Sequence, residues 1–479
     1  MIFLVLLACA ALNLLTLKDG HNWGGDFGQY IIHAQNLLNH NNYSQGIMLE
    51  KAIIYPPGFP LMIAPIIKLF GLNFPLLKSI NVLFWCASLL LLYLLFKNPL
   101  GRNNALLGIS VLAASSFFFV FKQNVLSDVP FTFLTIACIY ALQRGHFIAA
   151  LLLIFYAVLT RSAGWALGGA VMLYFLFLKR DLRVGCGVFL AAASATAVQT
   201  FCSGGMRPAF WHAFLASPLE TAQRLWQGSP IVWQSLIWFF CPGQTMFTSW
   251  IFTAIEYVAI VLSPLIYLAL IVLFIRKLRT KDLPLVECFC FIYGGLLLVW
   301  SSFGDFPQNF TRFTLPIAGF LLMLGIRYAQ RSNWMKWALA FLLIFNLANI
   351  IAIYRFNDDE ILREGPNKEL FLWIKENLGP DEHYMMWEPR TAALMTGRVG
   401  TTVAWLKFNP ENQWENILRQ MKARYLILNP WADRNLIERL TKRLPSAKNV
   451  WQNAGYVIFD YTPAKRSSLL GGPLMPTNG

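Results

Sequence analysis

Along residues 1–354 the apolar positions gather into long blocks separated by polar connections. A helix needs about 20 apolar residues to cross a hydrocarbon core roughly 30 Å thick. Read on that scale, the blocks predict about eleven transmembrane helices, near 2–17, 76–96, 104–121, 128–143, 146–160, 164–178, 183–201, 252–275, 284–302, 313–329 and 334–354. Two connections, 18–75 and 202–251, are long. Neither is apolar enough throughout to span, but both contain amphipathic pieces, such as 30–38 and 60–70, expected to lie flat at the membrane interface.

After residue 354 the pattern changes. The spacing predicts helices over 366–378, 411–423 and 433–443, and strands over 383–387, 424–428 and 455–460. The expected fold is an all-α polytopic membrane protein over 1–354 with a C-terminal extracytoplasmic α/β domain over 355–479. The terminal region has no glycine-rich phosphate loop and no nucleophile motif, which leaves it acceptor recognition or packing over an active site.

Composition sharpens the class. The 479 residues are 57% hydrophobic and 13% charged, with a mean hydropathy of +0.51, whereas a soluble domain carries about 25% charge. A soluble enzyme and an intrinsically disordered chain are thereby excluded. The net charge of +15 would suit nucleic acid, but its placement gives it another meaning. Connections on one side hold Lys97, Arg102, Arg144, Lys179, Arg180, Arg183, Arg276, Lys277, Arg279, Lys281, Arg327, Arg331 and Lys336. The short connections on the other side hold only Lys122, Arg161 and Arg312. The positive-inside rule makes the first set cytoplasmic. The N-terminus is then inside, 18–75, 202–251 and 355–479 lie outside, and the expected partner is the bilayer rather than nucleic acid.

The first block lacks a basic leader, and Leu6-Leu7-Ala8-Cys9 faintly resembles a lipoprotein cleavage site, but the apolar run continues past Cys9 and reads as a span. Of the eight cysteines most fall inside apolar runs, and no C-x-x-C pair occurs. Cys202 and Cys241 share the second long loop, where a disulfide is open although two unrelated interfacial thiols is the plainer reading.

Ionisable groups near the bilayer are expensive and mark functional candidates. The acids assigned to the outside before residue 355 are Asp19, Asp26, Glu50, Asp128, Glu220, Glu256 and Asp305. Asp26 lies in Trp23-Gly24-Gly25-Asp26-Phe27-Gly28-Gln29-Tyr30, ahead of an amphipathic helix on which Asp26, Tyr30 and His33 would share a face. A plain helix N-cap explains Asp26 equally well. Tyr55-Pro56-Pro57-Gly58-Phe59-Pro60 is a rigid turn, either part of a pocket or a connector. Asp128, in Ser127-Asp128-Val129-Pro130, is divided between a second active-site carboxylate and a cap. His21, His33 and Asp26 match no recognised metal-ligand spacing, so no cofactor is expected, a divalent metal included.

An Asp in the first external loop, then a Tyr and an amphipathic helix, then a Y-P-P-G-x-P turn, resembles the polyprenyl-phosphate-sugar-dependent glycosyltransferases of the GT-C fold. The likeness is to bacterial relatives of protein O-mannosyltransferases and of the lipid A aminoarabinose transferase. Leu126-Ser127-Asp128, Leu159-Thr160-Arg161, Asn309-Phe310-Thr311-Arg312-Phe313 with Pro316, and the α/β tail agree with it in order and sidedness.

The resemblance implies an inverting transferase of a bacterial inner membrane, with Asp26 as general base. A sugar on a lipid phosphate already has its leaving group, so the enzyme must take a proton from the acceptor hydroxyl and steady the departing phosphate. Arg312, then Arg161, are the candidate phosphate ligands, with Lys51 and Lys122 behind them; each could instead snorkel to the interface. Tyr30, His33, Tyr55 and Asp305 complete the candidate pocket, with Asp305 able to orient Arg312 or shape its loop. The expected partners are a polyprenyl-phosphate sugar donor and an extracytoplasmic lipid, protein or glycan acceptor. Two departures are visible: Phe27 follows Asp26 where some relatives carry a second acid, and Glu50-Lys51 stands four residues before Tyr55 rather than against the turn. The rival readings are a flippase or transporter of lipid-linked sugars, whose usual inverted repeats are not seen, and an O-antigen ligase or polymerase.

Overall fold

The computed structural model describes residues 1–43, 45–47, 55–203, 218–241, 249–301, 310–332, 334–356 and 365–461. It divides into two compact units, one of residues 1–17, 56–59 and 75–358, the other of 18–55, 60–74 and 359–479.

The first unit is helical, and each predicted apolar block coincides with a helix or a pair of them. In chain order α1 is Ile2–Leu15; α2 (Gly25–Leu38) and most of α3 (Gly58–Phe70) belong to the second unit. Then come α4 (Phe74–Leu100), α5 (Arg102–Ala113), α6 (Ser116–Phe121), α7 (Asp128–Gln143), α8 (Phe147–Thr160), α9 (Gly164–Leu173) and α10 (Leu182–Ser203). They are followed by α11 (Pro218–Phe240), α12 (Ser249–Thr280), α13 (Leu285–Ser301), α14 (Leu315–Ala329) and α15 (Trp334–Phe356). Among the described residues five stretches are long and apolar enough to cross a membrane: Phe74–Leu100, Arg102–Phe121, Leu182–Cys202, Thr311–Ala329 and Trp334–Tyr354. Ile2–Leu15, Asp128–Gln143, Phe147–Thr160 and Leu285–Ser301 are shorter apolar helices. The 104–121 block is broken at Ala114–Ser115, where the Ser115 hydroxyl accepts from Phe118 N and starts a new helix.

Helix α11 lies inside the long connection 202–251, where the sequence predicts a loop with amphipathic pieces. Its Ser229, Val232, Ser235 and Phe239 are buried while Trp226 is exposed, so helical spacing is present but diluted by serines and glutamines. Cys202 and Cys241 are both free thiols.

Polar residues stitch the helices where they are buried. Asn346 accepts from Ser116 N (2.9 Å) and Ser116 Oγ (2.7 Å) and donates to Phe240 O (2.9 Å), which leaves little of its amide unsatisfied in an apolar interior.

In the second unit, strands β1 (His383–Met386), β2 (Gly400–Thr402), β3 (Ala423–Leu428), β4 (Ala447–Gln452) and β5 (Val457–Tyr461) form one sheet in the order β2-β1-β3-β5-β4. β2, β1 and β3 are parallel; β5 and β4 add antiparallel. The crossovers carry α17 (Pro389–Thr396) from β1 to β2, then α18 (Ala404–Phe408) and α19 (Trp414–Gln420) from β2 to β3; α20 (Arg434–Arg443) follows β3, and α16 (Gly365–Asn377) precedes the sheet. Leu426 and Leu428 of β3 face a core with Trp414, Leu418, Leu436 and Leu440, as a period of two requires. On α16, the Trp373 ring meets Tyr425 edge-on at 5.3 Å, so the alternate residues of β3 are covered as well. The sequence pattern does not show β2, β4, α17 or α18; β2 is only three residues long, α18 only five, and β4 is mostly exposed.

Candidate active site

The second unit gathers Asp26, Tyr30 and Tyr55. Helix α2 opens at Gly24 with Asp26 in its first turn, where the helix dipole favours a carboxylate. The N-cap residue is Gly24 rather than Asp26. The Asp26 Oδ1 accepts from the Tyr55 hydroxyl at 2.6 Å and from Arg390 Nη1 at 3.3 Å. The side chain is 22% exposed, so it is reachable as well as held. Tyr30, one turn along, lies against the Tyr55 ring at 4.8 Å. Burial, and then the Asp26 charge, push the Tyr55 phenol far above its ordinary range, which fixes it as a proton donor toward the carboxylate.

A closed ring of hydrogen bonds stands behind this pair. Arg390 Nη1 also donates to Tyr55 Oη (3.2 Å) and to Gln29 Oε1 (3.3 Å). Gln29 Nε2 meets His33 Nε2 at 3.2 Å, His33 Nδ1 meets Tyr43 O at 2.7 Å, and the Tyr43 hydroxyl donates to Tyr55 O at 3.0 Å. With Nδ1 donating to a carbonyl and Nε2 accepting from an amide, His33 is a neutral imidazole, and burial lowers its pKa to about 4. His33 is fully buried and stacks on Tyr43 at 4.0 Å, so it braces the 40s segment.

Gly28 makes the ring possible. A Cβ there would lie 2.9 Å from Arg390 O and 3.3 Å from Thr391 Cα, so α2 rests directly on the first turn of α17. Arg390 was not anticipated. It stands 364 residues after Asp26, and its only local signal is Glu388-Pro389-Arg390 closing a strand and opening a helix with Pro in the first turn. The Glu388 carboxylate is its other partner, with Oε2 3.7 Å from Nη2.

The first unit gathers Asp128, Arg161 and Arg312. Asp128 begins α7 and is 3% exposed; its Oδ1 is 2.7 Å from Arg161 Nη1, which also reaches Ser127 Oγ at 3.3 Å. Arg161 ends α8. Its guanidinium lies 5.1 Å from the Phe313 ring centre, and that of Arg312 lies 4.8 Å from the same ring. Arg161 and Arg312 thus share one aromatic platform, and guanidiniums are donors of the kind that holds an anion. The turn motif meets this cluster from its own side. A Cβ on Gly58 would be 2.7 Å from the backbone of Leu159 and Thr160, and Tyr156 Oη donates to Gly58 O at 3.0 Å.

Lys122 is fully buried. Its ammonium donates to Thr16 Oγ1 at 2.6 Å and sits 3.4 Å from the Phe119 ring centre, tying α1 to the end of α6. Lys51 and Asp305 lie outside the described residues. His21 stacks on Phe27 at 3.6 Å, and among the described residues no group of three His, Cys, Asp or Glu is placed to hold a metal ion.

No protein-family model matches the sequence, and no curated protein matches it. Solved structures do match the fold. ArnT from Cupriavidus metallidurans, the lipid A aminoarabinose transferase, crystallised bound to undecaprenyl phosphate, aligns over 96% of this chain and 98% of its own, with a TM-score of 0.50 and 14% identity. The Archaeoglobus fulgidus oligosaccharyltransferase in its apo form aligns over 96% of this chain and 74% of its own, at TM-score 0.55 and 12% identity. The same protein in complex with Zn and sulfate gives 96% and 73%, at TM-score 0.54 and 13% identity. The fold is therefore GT-C, a multi-pass membrane protein with a small C-terminal sheet.

Proposed function

We propose that the chain is an inverting glycosyltransferase that moves one sugar from a polyprenyl phosphate to an acceptor hydroxyl outside the cytoplasm. The observation that carries this is the Asp26 carboxylate, partly exposed and oriented by Tyr55 and Arg390 at the start of α2. In the proposed step Asp26 takes the proton of the acceptor hydroxyl and the hydroxyl oxygen bonds to the anomeric carbon. The carbon–oxygen bond to phosphate breaks, and polyprenyl phosphate leaves with the electron pair. One displacement inverts the anomeric centre. Arg161 and Arg312 are proposed to hold the leaving phosphate, bidentate donors being suited to it, and Asp128 to hold Arg161 in place. That the ArnT crystal contained undecaprenyl phosphate supports a lipid phosphate of this class. The distribution of Lys and Arg supports an inner-membrane topology with the N-terminus inside and residues 355–479 outside.

The test uses the full chain in liposomes with undecaprenyl phosphate carrying radiolabelled hexoses or aminopentoses, and a lipid extract as acceptor pool. Labelled product together with free undecaprenyl phosphate supports transfer. Label crossing the bilayer still on its carrier would make the protein a flippase.

A further inference from the structure

Arg390 is placed between two carboxylates. Nη1 faces Asp26 Oδ1 at 3.3 Å, and Nη2 faces Glu388 Oε2 at 3.7 Å. One guanidinium cannot neutralise both, and a carboxylate held by a full positive charge is a weaker base than one relieved of it. We infer that Arg390 is a positioning residue whose charge is divided between Asp26 and Glu388, so that Glu388, when ionised, offsets the guanidinium's charge at Asp26 and raises the basicity of that carboxylate. This rests on Asp26 being the base of the proposed transfer.

The surroundings make Glu388 the member that changes charge. Its carboxyl is pushed up to about 7, chiefly by burial, with Asp26 adding to the rise and Arg390 opposing it. Among the described residues, Tyr55, Arg390 and Tyr384 beside the pair keep one state near neutral pH. Tyr55 is raised far out of range, and Arg390 is raised by Tyr55, Asp26 and Glu388 against the cost of its burial. Tyr30 on α2 acts on Tyr55. Tyr384, whose hydroxyl donates to Pro389 O and Arg398 O, is also raised by burial. The hydrogen-bond ring holds the Nη1 side of the guanidinium through Gln29 and Tyr55. Glu388 therefore acts on Asp26 by offsetting the guanidinium's charge rather than by moving it, within a helix start whose backbone is fixed by the close approach of Gly28.

The sign follows. Below pH 7 Glu388 is neutral, the full Arg390 charge bears on Asp26, and turnover is low; above pH 7 Glu388 is charged and turnover rises. The experiment is the pH profile of kcat for the full chain in liposomes with the undecaprenyl-phosphate sugar that it turns over. Wild type, Glu388→Gln, Arg390→Lys and Arg390→Ala are compared, together with an infrared titration of carboxylates without donor. The expected results are a wild-type limb with a midpoint near 7 and its disappearance in Glu388→Gln. In that variant kcat at pH 8 falls about 5–10-fold while KM stays within twofold. Arg390→Lys should keep the limb near 7, whereas Arg390→Ala should move its midpoint upward, because Glu388 loses the charge that opposes its rise. In the infrared, one carboxylate titrates near 7 in wild type and is missing in Glu388→Gln. A Glu388→Gln profile that superimposes on wild type overturns the inference while leaving transfer intact. If no donor is turned over, the proposed function fails instead. The infrared titration then decides the charge sharing alone: a Glu388 midpoint unchanged between wild type and Arg390→Ala refutes it.

Discussion

Removing Arg161 alone should cost as much as removing the pair it belongs to. Asp128 is 3% exposed, and Arg161, 13% exposed, stands 2.7 Å from its Oδ1. The other oxygen, Oδ2, is buried with no hydrogen-bond partner, so Arg161 supplies most of what compensates this charge. At an effective dielectric near 20 the attraction at this separation is about 6 kcal/mol. Desolvating both ions offsets much of that, yet deleting one partner of a buried pair still costs about 3–5 kcal/mol because the other charge is stranded. Arg161 also loses its position over Phe313, worth about 1 kcal/mol. The expected losses are thus about 4 kcal/mol for Arg161→Gln and about 2–3 kcal/mol for Asp128→Asn. The double variant should cost no more than Arg161→Gln alone, a coupling of about 2–3 kcal/mol. The assay is reversible unfolding of the four proteins in mixed micelles, followed by tryptophan fluorescence. Additive losses, or an Arg161→Gln cost below about 1 kcal/mol, would refute the claim that the pair is a buried, interdependent unit.

Other variants probe neighbouring elements. Gly58→Ala forces a methyl to within 2.7 Å of the Leu159 and Thr160 backbone; a stability loss of about 1–3 kcal/mol is expected in the same unfolding assay. His33, fully buried, has a folded pKa of about 4 against an ordinary 6.5. The unfolded chain therefore binds its proton first, and stability should fall by about 3 kcal/mol as pH drops from 6.5 to 4. Denaturant midpoints of wild type and His33→Asn across that window should converge at low pH if His33 is the cause. Tyr55→Phe removes one hydrogen bond to a charged carboxylate, worth about 1.5–3 kcal/mol, so kcat should drop about 10–100-fold with little change in donor affinity. Lys122→Met should lower the unfolding midpoint without altering undecaprenyl phosphate binding, measured by isothermal titration, because its ammonium is engaged by Thr16 and Phe119.

The helical unit was legible because an apolar block carries its own signal along the chain, and each block found its helix. Helix α11 escaped because serines and glutamines break its apolar face, and β2 because three residues carry no periodicity. At the site, Asp26 and Tyr55 stand out separately in the sequence because both fall in the first loop, in motifs rich in Gly and Pro; their contact does not. Arg390 and Glu388 do not stand out, since their approach to α2 depends on how the crossover after β1 packs, and a lone Gly28 gives no hint of what it must admit. Lys122 shows the converse. A cation in a short connection reads as a surface group, and only the packed structure reveals that Thr16 and an aromatic ring take its charge.

The most direct measurement is single-turnover transfer by Asp26→Asn, a change that keeps the side chain's size and removes its basicity. With wild-type binding of undecaprenyl phosphate and normal membrane insertion, the rate should fall at least about 100-fold. A rate within a few-fold of wild type would contradict Asp26 as the base.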